Sequence, residues 1–194
     1  DFGDGFASAM HVQTTDLYML GGGKLSRLSR DEEGRYAEVQ SFELESDERG
    51  LLAVGGQVCV VAQRGGRVSV YDAESLEQLQ EPASLNGDPR VVSASPDGRY
   101  VGVLTHNQQL LLWNAADGGR LDWSPSLTDK VNAISFDEDG HLLVSDGRLA
   151  AIRYDIEQQT ATQRWAEQPS WAYAFYDNFV YPAWSVLPKP AQLT

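Results

Sequence analysis

Three histidines, His11, His106 and His141, are the first residues to weigh for metal or acid–base chemistry, since a neutral imidazole ligates metals and changes charge near physiological pH. No two stand at the i, i+4 spacing that sets a ligand pair on one helical face. Each falls in a different stretch of the chain, so a shared site requires convergence at a common axis. His141 follows Gly140 and is expected at the surface, and His106 beside Asn107 is expected in a turn. Asp137-Glu138-Asp139-Gly140 offers hard carboxylate oxygens of the kind calcium selects. In an EF-hand loop opening at Asp137, glycine belongs in the sixth place and glutamate in the twelfth, but Leu142 and Arg148 stand there.

Other fragments fail similar tests. Gly21-Gly22-Gly23-Lys24 invites comparison with a phosphate-binding loop, which needs a glycine five positions before its Gly-Lys pair and a Ser or Thr after it. Tyr18 and Leu25 occupy those places, so the glycines are read as an interstrand turn. Asp1-Phe2-Gly3 echoes the kinase metal-binding triplet without its companion loops. Cys59 is the only cysteine, which excludes an intrachain disulfide and a thiolate metal cage. Between Gln57 and Val61 it reads as a small buried hydrophobe. No Gly-x-Ser-x-Gly elbow is present. Carboxylates converging from separate units on a central channel are the acid–base arrangement left open. No catalytic, cofactor or metal set is assigned.

The elements that must hold these residues follow from a repeat. Ser95-Pro96-Asp97-Gly98-Arg99-Tyr100 matches Phe136-Asp137-Glu138-Asp139-Gly140-His141 with Gly98 and Gly140 aligned, an offset of 42 positions. An aromatic residue followed by a small polar one recurs as Tyr71-Asp72, Trp113-Asn114 and Tyr154-Asp155, at offsets of 42 and 41. Between these markers Val58 to Val61, Val68 to Val70, Val101 to Leu104 and Leu110 to Trp113 are strand-like runs bounded by Gly, Asn or Asp. Asp97-Gly98 and Asp139-Gly140 predict hairpins joining the first and second strands of a unit, because glycine accepts the positive φ of a tight turn. The period lays out units over about 6–45, 46–86, 87–127 and 128–166. In the third, strands are expected near 90–95, 99–105, 109–114 and 119–123. The fold class is therefore all-β, an array of about four four-stranded antiparallel blades in the manner of a β-propeller; a β-sandwich is the alternative.

Ser95-Pro96-Asp97-Gly98 and Trp113-Asn114 resemble the WD-repeat propeller family, and the likeness spans most of residues 47–166. Trp-Asn and Tyr-Asp stand where that family has Trp-Asp, and Gly87-Asp88 and Asp129-Lys130 where it has Gly-His. The resemblance implies a ring of about six to eight blades. Four units are then completed by pairing of two copies, by further sequence, or by closing on themselves.

The 15 Lys and Arg against 28 Asp and Glu give a formal charge of −13, which repels phosphate backbones, so nucleic acid is not expected as a partner. No run of eighteen apolar residues occurs, and a membrane connection would lie outside this sequence, which is expected to be a piece of a longer chain.

Beyond Arg164 the composition changes. Trp171, Phe175 and Phe179 recur at a helical interval, Tyr181 and Trp184 follow, and Pro182, Pro188 and Pro190 favour an extended exit. This aromatic, Pro-rich tail (167–194) is expected either to pack on the repeats or to dock on a protein or membrane interface, with Trp171, Phe175, Phe179, Tyr181 and Trp184 as candidate docking residues. The stretch from Tyr181-Pro182 to Leu187-Pro188-Lys189-Pro190 is similar to the segment after the repeat domain of some bacterial ABC-type transporter membrane proteins, which implies a membrane-bound parent. The function expected from all this is a non-catalytic interaction scaffold that takes a protein partner or associates with itself. A propeller hydrolase or lyase, or a small-ligand sensor with its site at the central channel, is the rival expectation.

Overall fold

The computed structural model describes residues 9–13, 16–44, 50–115, 119–125, 130–146 and 151–165. Fifteen strands alternate with turns, and apart from a single 3-10 turn at Arg64–Gly66 no helix occurs among the described residues. None is therefore long and apolar enough to cross a membrane. The first sheet holds β1 (Ala9–Gln13), β2 (Asp16–Gly21), β3 (Lys24–Arg30) and β4 (Tyr36–Glu43). The second holds β5 (Gly50–Gly55), β6 (Val58–Gln63), β7 (Arg67–Asp72) and β8 (Ala83–Ser84); the third β9 (Pro89–Ala94), β10 (Tyr100–Thr105) and β11 (Leu110–Asn114). The fourth holds β12 (Val131–Phe136), β13 (Leu142–Asp146), β14 (Ala151–Asp155) and β15 (Thr160–Trp165). Every pairing is antiparallel between chain neighbours, so each sheet is a simple meander.

The sheets stack in sequence order. β1 lies beside β5, β5 beside β9, and β9 beside β12, so the first strand of each sheet neighbours the first strand of the next. Between sheets one and two, Tyr18, Leu20 and Leu25 meet Val54, Cys59, Val61 and Tyr71. Between two and three, Val60, Val68 and Val70 meet Val101, Val103, Leu111 and Trp113. Between three and four, Leu104, Leu110 and Leu112 meet Ile134, Phe136, Leu142 and Tyr154. Sheets two and three are thus covered on both faces. Their central strands β6 and β10 are buried at every residue, which is why they read as continuous apolar runs and not as alternating ones. Four sheets in succession, two of them sandwiched, are not the two layers of a β-sandwich.

The third sheet departs from the expected four strands. Residues 119–123 form no strand: they make an isolated bridge, Trp113 with Arg120, and backbone bonds from Asn114 N–H to the Gly119 carbonyl and from Leu121 N–H to the Leu112 carbonyl. In the second sheet the same opening bridge, Tyr71 with Gln78, is followed by β8, where Ala83 pairs with Val68. The residue one period after Ala83 is Pro125, which has no N–H to give to a ladder. The fourth strand is lost where the donor is lost.

Candidate functional site

The β5–β6, β9–β10 and β12–β13 hairpins bring their tips together at one end of the stacked sheets. Gly98 and Gly140 take φ of 74° and 80°, the positive region that the Asp-Gly turns require. At the second tip (β5–β6, the tips being numbered by their sheets) a side chain on Gly55 would overlap the Ser95 carbonyl oxygen, and one on Gly56 would lie 2.6 Å from the Asp97 carbonyl carbon. The second and third tips therefore touch main chain to main chain. The third and fourth tips are also adjacent, with the Asp97 carboxylate 3.7 Å from where a Cβ on Gly140 would stand.

Asp97, Asp137 and Glu157 along this row each have a local partner. Asp97 Oδ1 accepts from the Ser95 hydroxyl at 2.5 Å and from the Arg99 N–H at 3.0 Å, while Ser95 Oγ accepts from the Tyr100 N–H at 2.8 Å. Burial pushes the Asp97 carboxyl up, but the Ser95 hydrogen bond and the Arg99 N–H and charge hold it below the ordinary range. Arg99 crosses to the β14–β15 turn and meets Glu157 at 2.6 Å. In the fourth sheet Asp137 Oδ1 accepts the N–H groups of Asp139 and His141 at 3.0 and 2.9 Å.

Asp137, Asp139 and His141 bring their ligand atoms within 4.8 Å of one another, the one such group with metal-binding potential among the described residues. Arg153 of β14 stands in it. Its Nε is 2.6 Å from Asp137 Oδ2, an ion pair in which the N–H is not aimed at the oxygen; its Nη2 is 3.0 Å from Asp139 Oδ2 and 2.8 Å from His141 Nδ1. A guanidinium already supplies the positive charge that the carboxylates would offer a cation, so the donor set does not fit a metal while Arg153 holds this position. His141, expected at the surface, is instead three-quarters covered: its side chain is 25% exposed because Arg153 and Asp137 enclose it. Arg153 carried no sequence signal, since its partners lie 12 to 16 residues away, on the far side of β13.

The other singled-out residues fall elsewhere. His106 lies in the exposed β10–β11 turn, and His11 is in β1, paired with Tyr18. Gly22 and Gly23 close the β2–β3 hairpin at φ of 60° and 75°. Cys59 is wholly buried, and desolvation pushes its thiol up to about 12. Gly87-Asp88 has a bridging role between sheets: Asp88 Oδ1 accepts the Gly65 N–H at 2.8 Å and its carbonyl accepts the His106 N–H at 2.9 Å. Trp171, Phe175, Phe179, Tyr181 and Trp184 lie outside the described residues.

Two further features mark the outer side of the array. A cavity of about 230 Å³ lies between β11 and the 119–125 segment, lined by Leu110, Leu112, Arg120 and Trp123 among others. It lies on the third-strand side, away from β1, β5, β9 and β12. The edge strand β4 is exposed throughout, with Val39 51% and Tyr36 42% exposed. Comparison with protein-family models and with curated proteins gives no match for the chain.

Proposed function

We propose that the chain is a non-catalytic interaction module whose four sheets stand around a common axis as propeller blades, the ring being completed by a second copy. The observation that carries this reading is the ordered packing of β1 on β5, β5 on β9 and β9 on β12, with the apolar faces of successive sheets buried between them. Self-association is favoured by exposed edges, and β4 offers eight exposed residues with an unpaired outer side in its own sheet. The row of hairpin tips, in main-chain contact between sheets two and three and carrying Asp97, Arg99, Asp139 and Glu157, is the face proposed for a protein partner. The filled Asp137 cluster supports a binding role over a calcium-dependent hydrolase or lyase.

Sedimentation of the full chain over a wide concentration range tests the reading. A two-chain particle is expected, and a strict monomer at every concentration overturns completion by a second copy. Stoichiometric calcium retained through purification would instead count for the enzymatic alternative.

A further inference from the structure

The outer edge of sheet three lacks a neighbour, and the main chain of β11 shows what it would bond. At either end of β11 the chain bonds back toward β10: the Gln109 carbonyl accepts the Thr105 N–H, and the Ala115 N–H donates to the Arg99 carbonyl. The Asn114 N–H and the Leu112 carbonyl face the other way, to Gly119 and Leu121. Alternation along this regular antiparallel strand turns the Leu110 N–H, the Leu110 carbonyl and the Leu112 N–H outward as well. None of these three has a partner among the described residues, although Leu110 is 4% and Leu112 1% exposed. Buried main-chain groups are nearly always paired, so three together mark a place where another main chain belongs.

In sheet two that place is taken by β8, where Ala83 pairs with Val68, one period before Leu110. In sheet three Pro125 stands one period after Ala83 and has no N–H for the Leu110 carbonyl. A cleft follows the open edge: the cavity of about 230 Å³ beside residues 120–124, and a second of about 320 Å³ that continues past Gln109 and Pro125. Leu110, Leu112, Leu121 and Trp123 give it apolar walls, and Trp123 is set edge-on against Tyr154. Arg120 also lines it, exposed and with no ion-pair partner among the described residues.

We propose that this cleft is a peptide slot: an extended segment of another protein, about three residues long, adds to β11 as the missing fourth strand and sets a carboxylate on Arg120. The incoming residue opposite Leu110 supplies the N–H that Pro125 lacks, and its carbonyl accepts the Leu110 N–H. The Arg120 guanidinium forks onto the carboxylate. Asp122 on the same wall repels further negative charge, so the slot suits a single carboxylate and not an acidic run. The slot uses no part of the ring reading, so a monomer in sedimentation leaves it standing.

Amide-detected NMR on the full chain, titrated with acetyl-Val-Ala-Val bearing a free terminal carboxylate, tests it. Without peptide the Leu110 and Leu112 amides are expected to exchange with solvent faster than that of Leu111, which faces β10. On titration the Leu110, Leu112 and Arg120 Nε–H signals are expected to shift together and saturate. The C-terminally amidated peptide is expected to bind more weakly, and the fully N-methylated one not at all. Pro125→Ala provides an N–H for the Leu110 carbonyl, so it is expected to complete the strand and abolish the shifts. On the wild type, four results each overturn the proposal: no saturating shift up to the solubility of the peptide, equal affinity for the N-methylated form, the same Leu110 and Leu112 shifts with acetate alone, or slow exchange at both amides before peptide is added, which would mean a slot filled from within the chain. Undiminished binding by a folded Pro125→Ala variant overturns it too.

Discussion

Trp113 on β11 lies directly opposite Val101 on β10. The same cross-strand relationship joins Tyr71 to Cys59 and Tyr154 to Leu142. Each partner is fully buried, so the recurring aromatic stands opposite a fully buried residue of a second strand. The polar residue after it has a separate role at the strand end: Asp72 Oδ1 accepts the Ser75 N–H at 2.8 Å, and Asp155 Oδ1 the Gln158 N–H at 2.9 Å. An aromatic that buries and an Asx side chain that closes the next turn explain why the two types travel together.

Trp113→Ala is expected to cost about 3–5 kcal/mol, since it removes a nearly buried indole from the core between sheets two and three. Trp113→Phe keeps much of the volume and is expected to cost less. Denaturant midpoints of the two variants check this; an alanine variant with the wild-type midpoint would remove Trp113 from the core account.

Leu76 and Gln159 both have φ of 56°, four residues after Asp72 and Asp155, in equivalent turns. For residues with a Cβ this left-handed conformation costs roughly 1–2 kcal/mol. Gln159 is exposed, so Gln159→Gly relieves the strain without losing packing and is expected to stabilise by about 0.5–1 kcal/mol after the entropy of a new glycine. Leu76 is 2% exposed, so Leu76→Gly is expected to destabilise despite the same relief. Thermal unfolding that moves both variants the same way would contradict the assignment.

Alkaline pH is expected to weaken the fold through Cys59. Its folded-state value, raised by burial from 9.0 to about 12, lies above the unfolded value, so the native state retains a proton that the unfolded chain gives up. That contribution is complete below pH 9 and is lost as pH climbs toward 12. Tyr18 and Tyr100, both raised by burial, act in the same sense at higher pH. A Cys59→Ala variant whose stability falls as steeply between pH 9 and 11 as the wild type's would assign the loss to other groups.

Much of this architecture was legible in the chain. The Asp-Gly turns and the aromatic–Asx markers reported the unit length, and the drop from 42 to 41 has a structural source. Six residues separate Ala94 from its partner Val101, but five separate Phe136 from Leu142. Arg99-Tyr100 is thus answered by His141 alone before the buried position is reached. The missing fourth strand of the third sheet was not legible, because the period alone places a strand at 119–123 and the obstacle, Pro125, lies just beyond. Nor was the enclosure of His141, since a charge pair formed 12 to 16 residues away across β13 leaves no periodic trace. The docking role expected of Trp171, Phe175, Phe179, Tyr181 and Trp184 falls on residues outside those described.

The abutment of Gly55 and Gly56 against Ser95 and Asp97 sets how closely sheets two and three approach at that end, and it does so with atoms every residue shares. Side chains along the tips are thereby released from any duty in spacing the sheets. The surface chemistry of that end is free to diverge while the angle between the sheets stays constant, as with interchangeable heads on a fixed shank.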